Sequence, residues 1–427
     1  MQASTPHSGS HSDVFQNGTA EKDDVPDEYG RGSGNPPASQ SDWNIIGEPL
    51  SPSTLFSVAH PFIATDVVPP DQMLNIFSNA GYFPAGITSF LGFETYVKDH
   101  PSRTDWAFSV SGKGPARKNL AAFLDSGNFP VLYGRGTTWR SIRNFCQTWA
   151  DCNSQLSAGI NGMWFEFDLP GPAYGPVLPS VFFNPVCTVP GKATKPEKWE
   201  ESLKSMLALL TGKSVPAAVH SNLRNVLGAI PPAASLFMVG VMLSRKTDAV
   251  RLVIQFRNPD PIHGYLASVG WDHNPAPVIS LLKDLVENGV NRFVLNVDAG
   301  PAIGDKIGLE ASFAPTLFHR EERWAQLFRY LRIRGHLTEK RYNAFMSFPG
   351  ITGRTLQETE PGAAGRKRPD TEGGISRYFS HMKFVFEPES PPAVKVYCAI
   401  RQLGAKSVSS YDTTVPEGKI PPAGGPP

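Results

Sequence analysis

The sequence predicts an α/β fold: a closed antiparallel barrel of about ten strands, built from repeated α-β-β-α units and ringed by helices. Three observations predict it. Segments 163–168, 251–257, 292–298, 306–313, 381–386 and 393–401 alternate apolar with polar residues, so each has one greasy and one ionic face. Strand pairs are joined by connections short enough to force antiparallel neighbours. Pairs of helical segments separate the strand pairs, a supersecondary unit recurring at a period of roughly 60–70 residues.

The elements follow in order. Residues 105–111 read as a strand, with 129–133 as its mate. Residues 139–155 carry Ile142, Phe145, Trp149 and Cys152 at helical spacing. Strands over 163–168 and 180–183 flank a turn rich in Pro and Gly. Helices are expected over 196–210 and 215–227, then a hairpin of 236–244 and 250–257 turning at Arg245-Lys246-Thr247-Asp248. Helices over 261–269 and 277–288 come next, the second stopped by Gly289. A hairpin of 292–298 and 306–313, helices over 321–335 and 338–348, and strands over 381–386 and 393–401 complete the series.

Residues 43–402 are expected to form a single barrel domain with a polar loop at 352–374. The flanks 1–42 and 403–427 are rich in Ser, Gly, Pro and acids and are expected to be disordered tails. Arg366-Lys367-Arg368 belongs to the polar loop and reads as solvated. A net charge of +1 supplies no basic field for nucleic acid. Neither an apolar run able to span a membrane nor a secretory leader is apparent, so a cytoplasmic location is expected. The four cysteines, Cys146, Cys152, Cys187 and Cys398, lack metal or disulfide spacing and are expected to be reduced core thiols.

The polar face is where chemistry is expected. It carries Trp164, Glu166, Asp168, Arg251, Gln255, Arg257, Asn296, Asp298, Lys306, Glu310, Ser312, His381, Lys383, Lys395 and Tyr397. If the sheet closes, these side chains converge on a lumen. Each charge there costs several kcal/mol unless it is paired or binds a ligand. The mixed signs allow pairing without any ligand.

The last hairpin, SHMKFVFEPESPPAVKVYCAI, and the element order over most of 105–402 resemble the aromatic prenyltransferases whose barrel is built from α-β-β-α repeats. In that family, lumen Lys and Arg bind an allylic diphosphate, a Lys-x-Tyr pattern recurs, and tyrosines shield the carbocation. The resemblance therefore implies that Arg251, Gln255, Lys383 and Lys395 grip the diphosphate. It implies that Tyr397 and Trp164 shield the cation, and that Glu166 positions the acceptor. Asp168, Arg257, Asn296, Asp298, Glu310 and His381 are further lumen candidates. The implied function is a transferase of secondary metabolism that moves an allylic isoprenoid group from its diphosphate to an aromatic small molecule or peptide. No metal is required, although magnesium could assist. Glu166-Phe167-Asp168 stands where a second Lys-x-Tyr is expected, and Val253 stands where a Lys would follow Arg251. That acidic content keeps two alternatives open: a terpene cyclase using the same cavity, or a non-catalytic binding or accessory protein whose lumen charges satisfy one another.

Other motifs fail on their own chemistry. Gly212-Lys213-Ser214 ends like a phosphate loop, but Leu207 replaces its first glycine. His7 and His11 have zinc-protease spacing, with Ser8 in place of the required Glu. A G-x-S-x-G elbow is absent.

Overall fold

The computed structural model describes residues 48–98, 104–126, 136–169, 177–186, 196–245, 247–353 and 374–403. The expected N-terminal tail, the strand at 129–133, Cys187, most of the polar loop and the expected C-terminal tail past Leu403 lie outside the described residues. Leu403, expected to begin that tail, is instead buried, and its N–H donates to the Gly374 carbonyl.

Strand alternation closes the sheet. The strands are β1 (Phe90–Tyr96), β2 (Asp105–Ser111), β3 (Ile160–Phe167), β4 (Ser180–Pro185), β5 (Ala234–Val241), β6 (Val250–Phe256), β7 (Arg292–Ala299), β8 (Ile303–Ser312), β9 (Gly350–Thr352), β10 (Ile375–Phe386) and β11 (Ala393–Gln402). Neighbours run β11-β1-β2-β3-β4-β5-β6-β7-β8-β10, and β10 pairs back onto β11. All these pairings are antiparallel, so ten strands form a closed barrel without a free edge. The short β9 adds to β10 outside the ring through Ile375–Arg377.

Closure gives every strand an inside and an outside. On β7, Phe293, Leu295 and Val297 are buried outward, while Arg292, Val294, Asn296 and Asp298 face the lumen. On β6, Leu252, Ile254 and Phe256 point outward opposite Arg251, Val253 and Gln255. The outward rings meet the helical layer. In α4 (Thr137–Ala150), Trp139, Ile142, Phe145 and Trp149 form one buried stripe, and Phe145 contacts Phe183 at 6.0 Å. In α10 (Arg323–Ile333), Trp324 and Phe328 contact Phe379 at 5.7 and 4.9 Å. Burying each such side chain is worth about 1.5–3 kcal/mol, and these outward residues belong to one core cluster with the helices.

The remaining helices are α1 (Pro52–Ala59), α2 (Pro70–Ala80), α3 (Ala116–Asp125), α5 (Gln155–Gly159), α6 (Pro196–Thr211), α7 (Ala217–Gly228), α8 (Pro261–Ser268), α9 (Ala276–Glu287) and α11 (Glu339–Met346). The single helix expected over 139–155 is divided. Asp151 ends α4, and the Ser154 side chain caps α5 by accepting from the Ser157 N–H. The mate of β2 is β1, which was not expected as a strand. Strand 236–244 stops at Val241, and 242–245 form the turn. Gly289, with φ +79°, follows α9 as expected. Cys146 and Cys398 are buried, their thiols pushed up by desolvation, to about 12 for Cys146, whereas Cys152 is exposed. No helix among the described residues is long and apolar enough to cross a membrane.

Candidate functional site

The strand hairpins all turn at one end of the barrel and the helical connections leave from the other, so register assigns each lumen side chain a height. Near the hairpin end lies an ionic layer. Arg251 and Asp298 are cross-strand partners on β6 and β7, and the guanidinium donates two hydrogen bonds to the carboxylate at 2.7 and 2.8 Å. Arg245, in the β5–β6 turn, donates two to Asp168 at 2.9 Å each, and the Ser244 hydroxyl adds a third at 2.8 Å. Lys383 and Lys395 are direct cross-strand neighbours on β10 and β11. Their like charges are drawn apart by separate carboxylates: Lys395 donates to Glu94, and Lys383 lies 3.5 Å from Glu310. Lys383 also donates to the Asn296 amide oxygen at 3.0 Å, while the Asn296 amide donates to Glu310 at 2.8 Å.

The electrostatics follow from that pairing. Burial pushes the Glu94, Asp298 and Glu310 carboxyls up, but adjacent cations more than offset it and hold all three below the usual carboxylate range. Burial pulls Lys383 below its ordinary value against the attraction of Glu310. Lys395 is raised, since Glu94 outweighs its burial. Burial also pulls His381 down; its ring stacks on Tyr397 at 4.0 Å and lies 3.8 Å from Glu310.

Toward the helix end the lumen turns aromatic. Phe90 on β1 lies 5.0 Å from Trp164 on β3 and 6.2 Å from Tyr378 on β10. Phe182, Val253 and Val294 form a second apolar cluster with Trp164, Phe237 and Met238, separate from the outer core. Arg292 lies over Phe237 at 5.7 Å, and its Nε is buried without a hydrogen bond.

Between the two layers the register leaves a gap. Ala399, Gly92, Ala107, Glu166 and Ser180 form one row across β11, β1, β2, β3 and β4. Four of the five are small, and Glu166 projects into the space they leave. The resulting cavity has a volume of about 50 Å³, opens to solvent, and is lined by Phe90, Glu94, Trp164, Glu166, His381 and Tyr397, among others. Among the described residues Glu166 has neither a hydrogen bond nor an ion pair. Burial first, then the Glu94 charge, pushes its carboxyl up to about 7, against the pull of Lys383.

Most residues singled out from the sequence meet in this lumen: Trp164, Glu166, Asp168, Arg251, Asn296, Asp298, Glu310, His381, Lys383, Lys395 and Tyr397. Gln255 does not join the ionic layer. It lies four residues along β6 from Arg251, about 13 Å nearer the helix end, opposite Val294. Arg257 is exposed beyond the end of β6, and Lys306 pairs with Glu387 on the outer rim. Sequence reasoning missed Glu94, Phe90, Tyr378, Arg245 and Arg292. The signal for the first two was present in Phe90-x-Gly92-x-Glu94-x-Tyr96, set against Leu91 and Phe93 on the other face. Tyr378 was hidden by a bulge between Phe379 and His381, which shifts the alternation so that Tyr378 and His381 both face inward. No group of three His, Cys, Asp or Glu among the described residues is arranged to hold a metal ion.

No family model and no curated protein matches the sequence. Solved structures similar to this chain include the apo form of prenyltransferase PriB, 12% identical, covering 83% of this chain and 95% of that one at a TM-score of 0.47. PriB in a binary complex with product diphosphate is also 12% identical and covers 78% and 83% at 0.43. AnaPT from Neosartorya fischeri is 11% identical and covers 84% and 96% at 0.48.

Proposed function

We propose that the barrel transfers an allylic isoprenoid group from its diphosphate to an aromatic or peptide acceptor inside the lumen. The observation that carries this reading is vertical order: a layer of buried cations stands directly over an aromatic-walled cavity that holds one unpaired acid. In the proposed step the allylic C–O bond breaks and the diphosphate leaves with the electron pair toward Arg251, Lys383 and Lys395. The allyl cation lies against Trp164 and Tyr397, whose π-faces favour positive charge. Acceptor π-electrons form the new C–C bond, and the proton lost from that carbon passes to the Glu166 carboxylate. A group titrating at about 7 suits that role at neutral pH. The reading requires no metal. Magnesium carried on the diphosphate would suit a cage whose own charges cancel.

A second reading, a non-catalytic ligand-binding barrel, is favoured by one observation. Arg245, Arg251, Lys383 and Lys395 each already hold a carboxylate. The two readings separate on the donor. Dimethylallyl, geranyl and farnesyl diphosphate are titrated into the protein and melting is followed. Transfer predicts a rise in melting temperature that is lost in the charge-neutral double variant Lys383→Met/Glu310→Gln. The absence of any rise with all three donors would overturn transfer and favour the binding barrel.

A further inference from the structure

We propose that the mid-lumen cavity binds an organic ammonium ion, with its positive nitrogen at Glu166 and its apolar body against Phe90 and Trp164. This goes beyond the transfer reading and does not depend on it. The first argument is the inventory of partners. Glu94, Asp168, Asp298 and Glu310 each hold a lumen cation, whereas Glu166 holds none. A half-buried carboxylate without a partner in a lumen is costly, and a ligand ammonium supplies what the protein leaves out.

The second argument is shape. Glu166 is the sole large side chain in its five-strand row, so the space before it comes from Gly92, Ala107 and Ala399. Its volume of about 50 Å³ has room for an ammonium group and its first carbons, and the opening to solvent lets the rest of a ligand extend along the lumen. The third is the character of the walls. The rings of Phe90 and Trp164 below, and the stacked Tyr397 and His381 above, line the space, and Arg401 over the Phe90 ring at 5.7 Å shows that this wall accepts a cation. The charged residues lining the cavity itself are Glu94, Asp105 and Glu166, all acids.

The charges acting on Glu166 come from several elements. Glu94 on β1 and Asp168 just past the end of β3 oppose its ionisation. Lys383 on β10, Arg245 in the β5–β6 turn and Arg251 on β6 favour it. Lys395 on β11 is engaged by Glu94. His381 on β10 is held below its ordinary value by burial, against the pull of Glu310.

The test is calorimetric titration of the full chain with 2-phenylethylammonium, its neutral isostere 2-phenylethanol and the anion 3-phenylpropionate. Affinity for the ammonium is expected to rise about tenfold between pH ~6 and pH ~8.5 as Glu166 ionises, because the amine stays protonated like a lysine over that range. The alcohol is expected to show no such rise. Glu166→Gln is expected to abolish the ammonium's pH dependence and its advantage over the alcohol. An ammonium that binds no better than the alcohol above neutral pH would overturn the proposal, as would an unchanged profile in Glu166→Gln. Preferential binding of 3-phenylpropionate would overturn it too. Binding of an allylic diphosphate without ammonium preference sinks this inference alone; ammonium preference without diphosphate binding sinks the transfer reading alone.

Discussion

Glu166 behaves differently from its neighbours because of what stands beside it. Glu94, one strand pair away, is drawn below the usual carboxylate range by Lys395 and Lys383, whereas Glu166 is pushed from 4.5 to about 7 by burial and by Glu94 itself. A carboxyl with a folded value above its unfolded one stabilises the fold fully below pH ~4.5, and that contribution is lost as pH rises through about 7. Glu166→Gln should therefore be more stable than the parent above neutral pH, by up to about 3 kcal/mol at ~1.4 kcal/mol for each pH unit separating the two values. The two proteins should converge at pH ~4. Denaturant melts across that range check this, and a constant difference between the proteins would contradict it. Glu166 was legible in the sequence from strand alternation alone. Its lack of a partner was not, because Glu94 and the small residues Gly92, Ala107 and Ala399 come from strands far away in the chain.

Single elements set the lumen's shape through glycines and bulges. Phe182 on β4 lies flat over Gly240 on β5, and a Cβ added at Gly240 would come within 2.2 Å of the ring. Gly240→Ala should displace Phe182 into the aromatic layer and cost about 1–3 kcal/mol, seen as a lower denaturation midpoint with an unchanged slope. An unaltered midpoint would mean that the close approach is not required. Lys383 likewise crosses Gly308, though there the flexible tip of the side chain can yield. The strands that the sequence revealed, β6, β7, β8 and β11, have clean alternation and large outward residues. β1 was missed because Gly92 interrupts its face and Thr95 dilutes the apolar row. α1 and α2 begin at Ser51-Pro52 and Pro69-Pro70, start signals that were readable but precede short, weakly patterned helices. The bulges in β5 and β10 leave no mark in composition, and each reverses which residues face inward.

At the scale of the whole molecule, closure turns six separately readable strands into one site. Alternation says that a face is ionic; pairing β10 with β11 places that face around a common axis. The barrel and its lumen were legible in the sequence because outward aromatics and inward charges recur with every hairpin. The degree of charge compensation was not, since Arg245, Glu94 and Asp168 join the network through a turn and through distant strands. The ionic layer has equal numbers of cations and carboxylates, so its charges are matched without a ligand, and a ligand must compete with contacts already made. The central claim is that ligand enters the space before Glu166, beneath that layer. Ala107→Trp, which fills the space and leaves every charge in place, tests it most directly by calorimetric titration with geranyl diphosphate. The account predicts saturable binding to the parent and none to the variant; equal binding by both, or no binding to the parent, would contradict it.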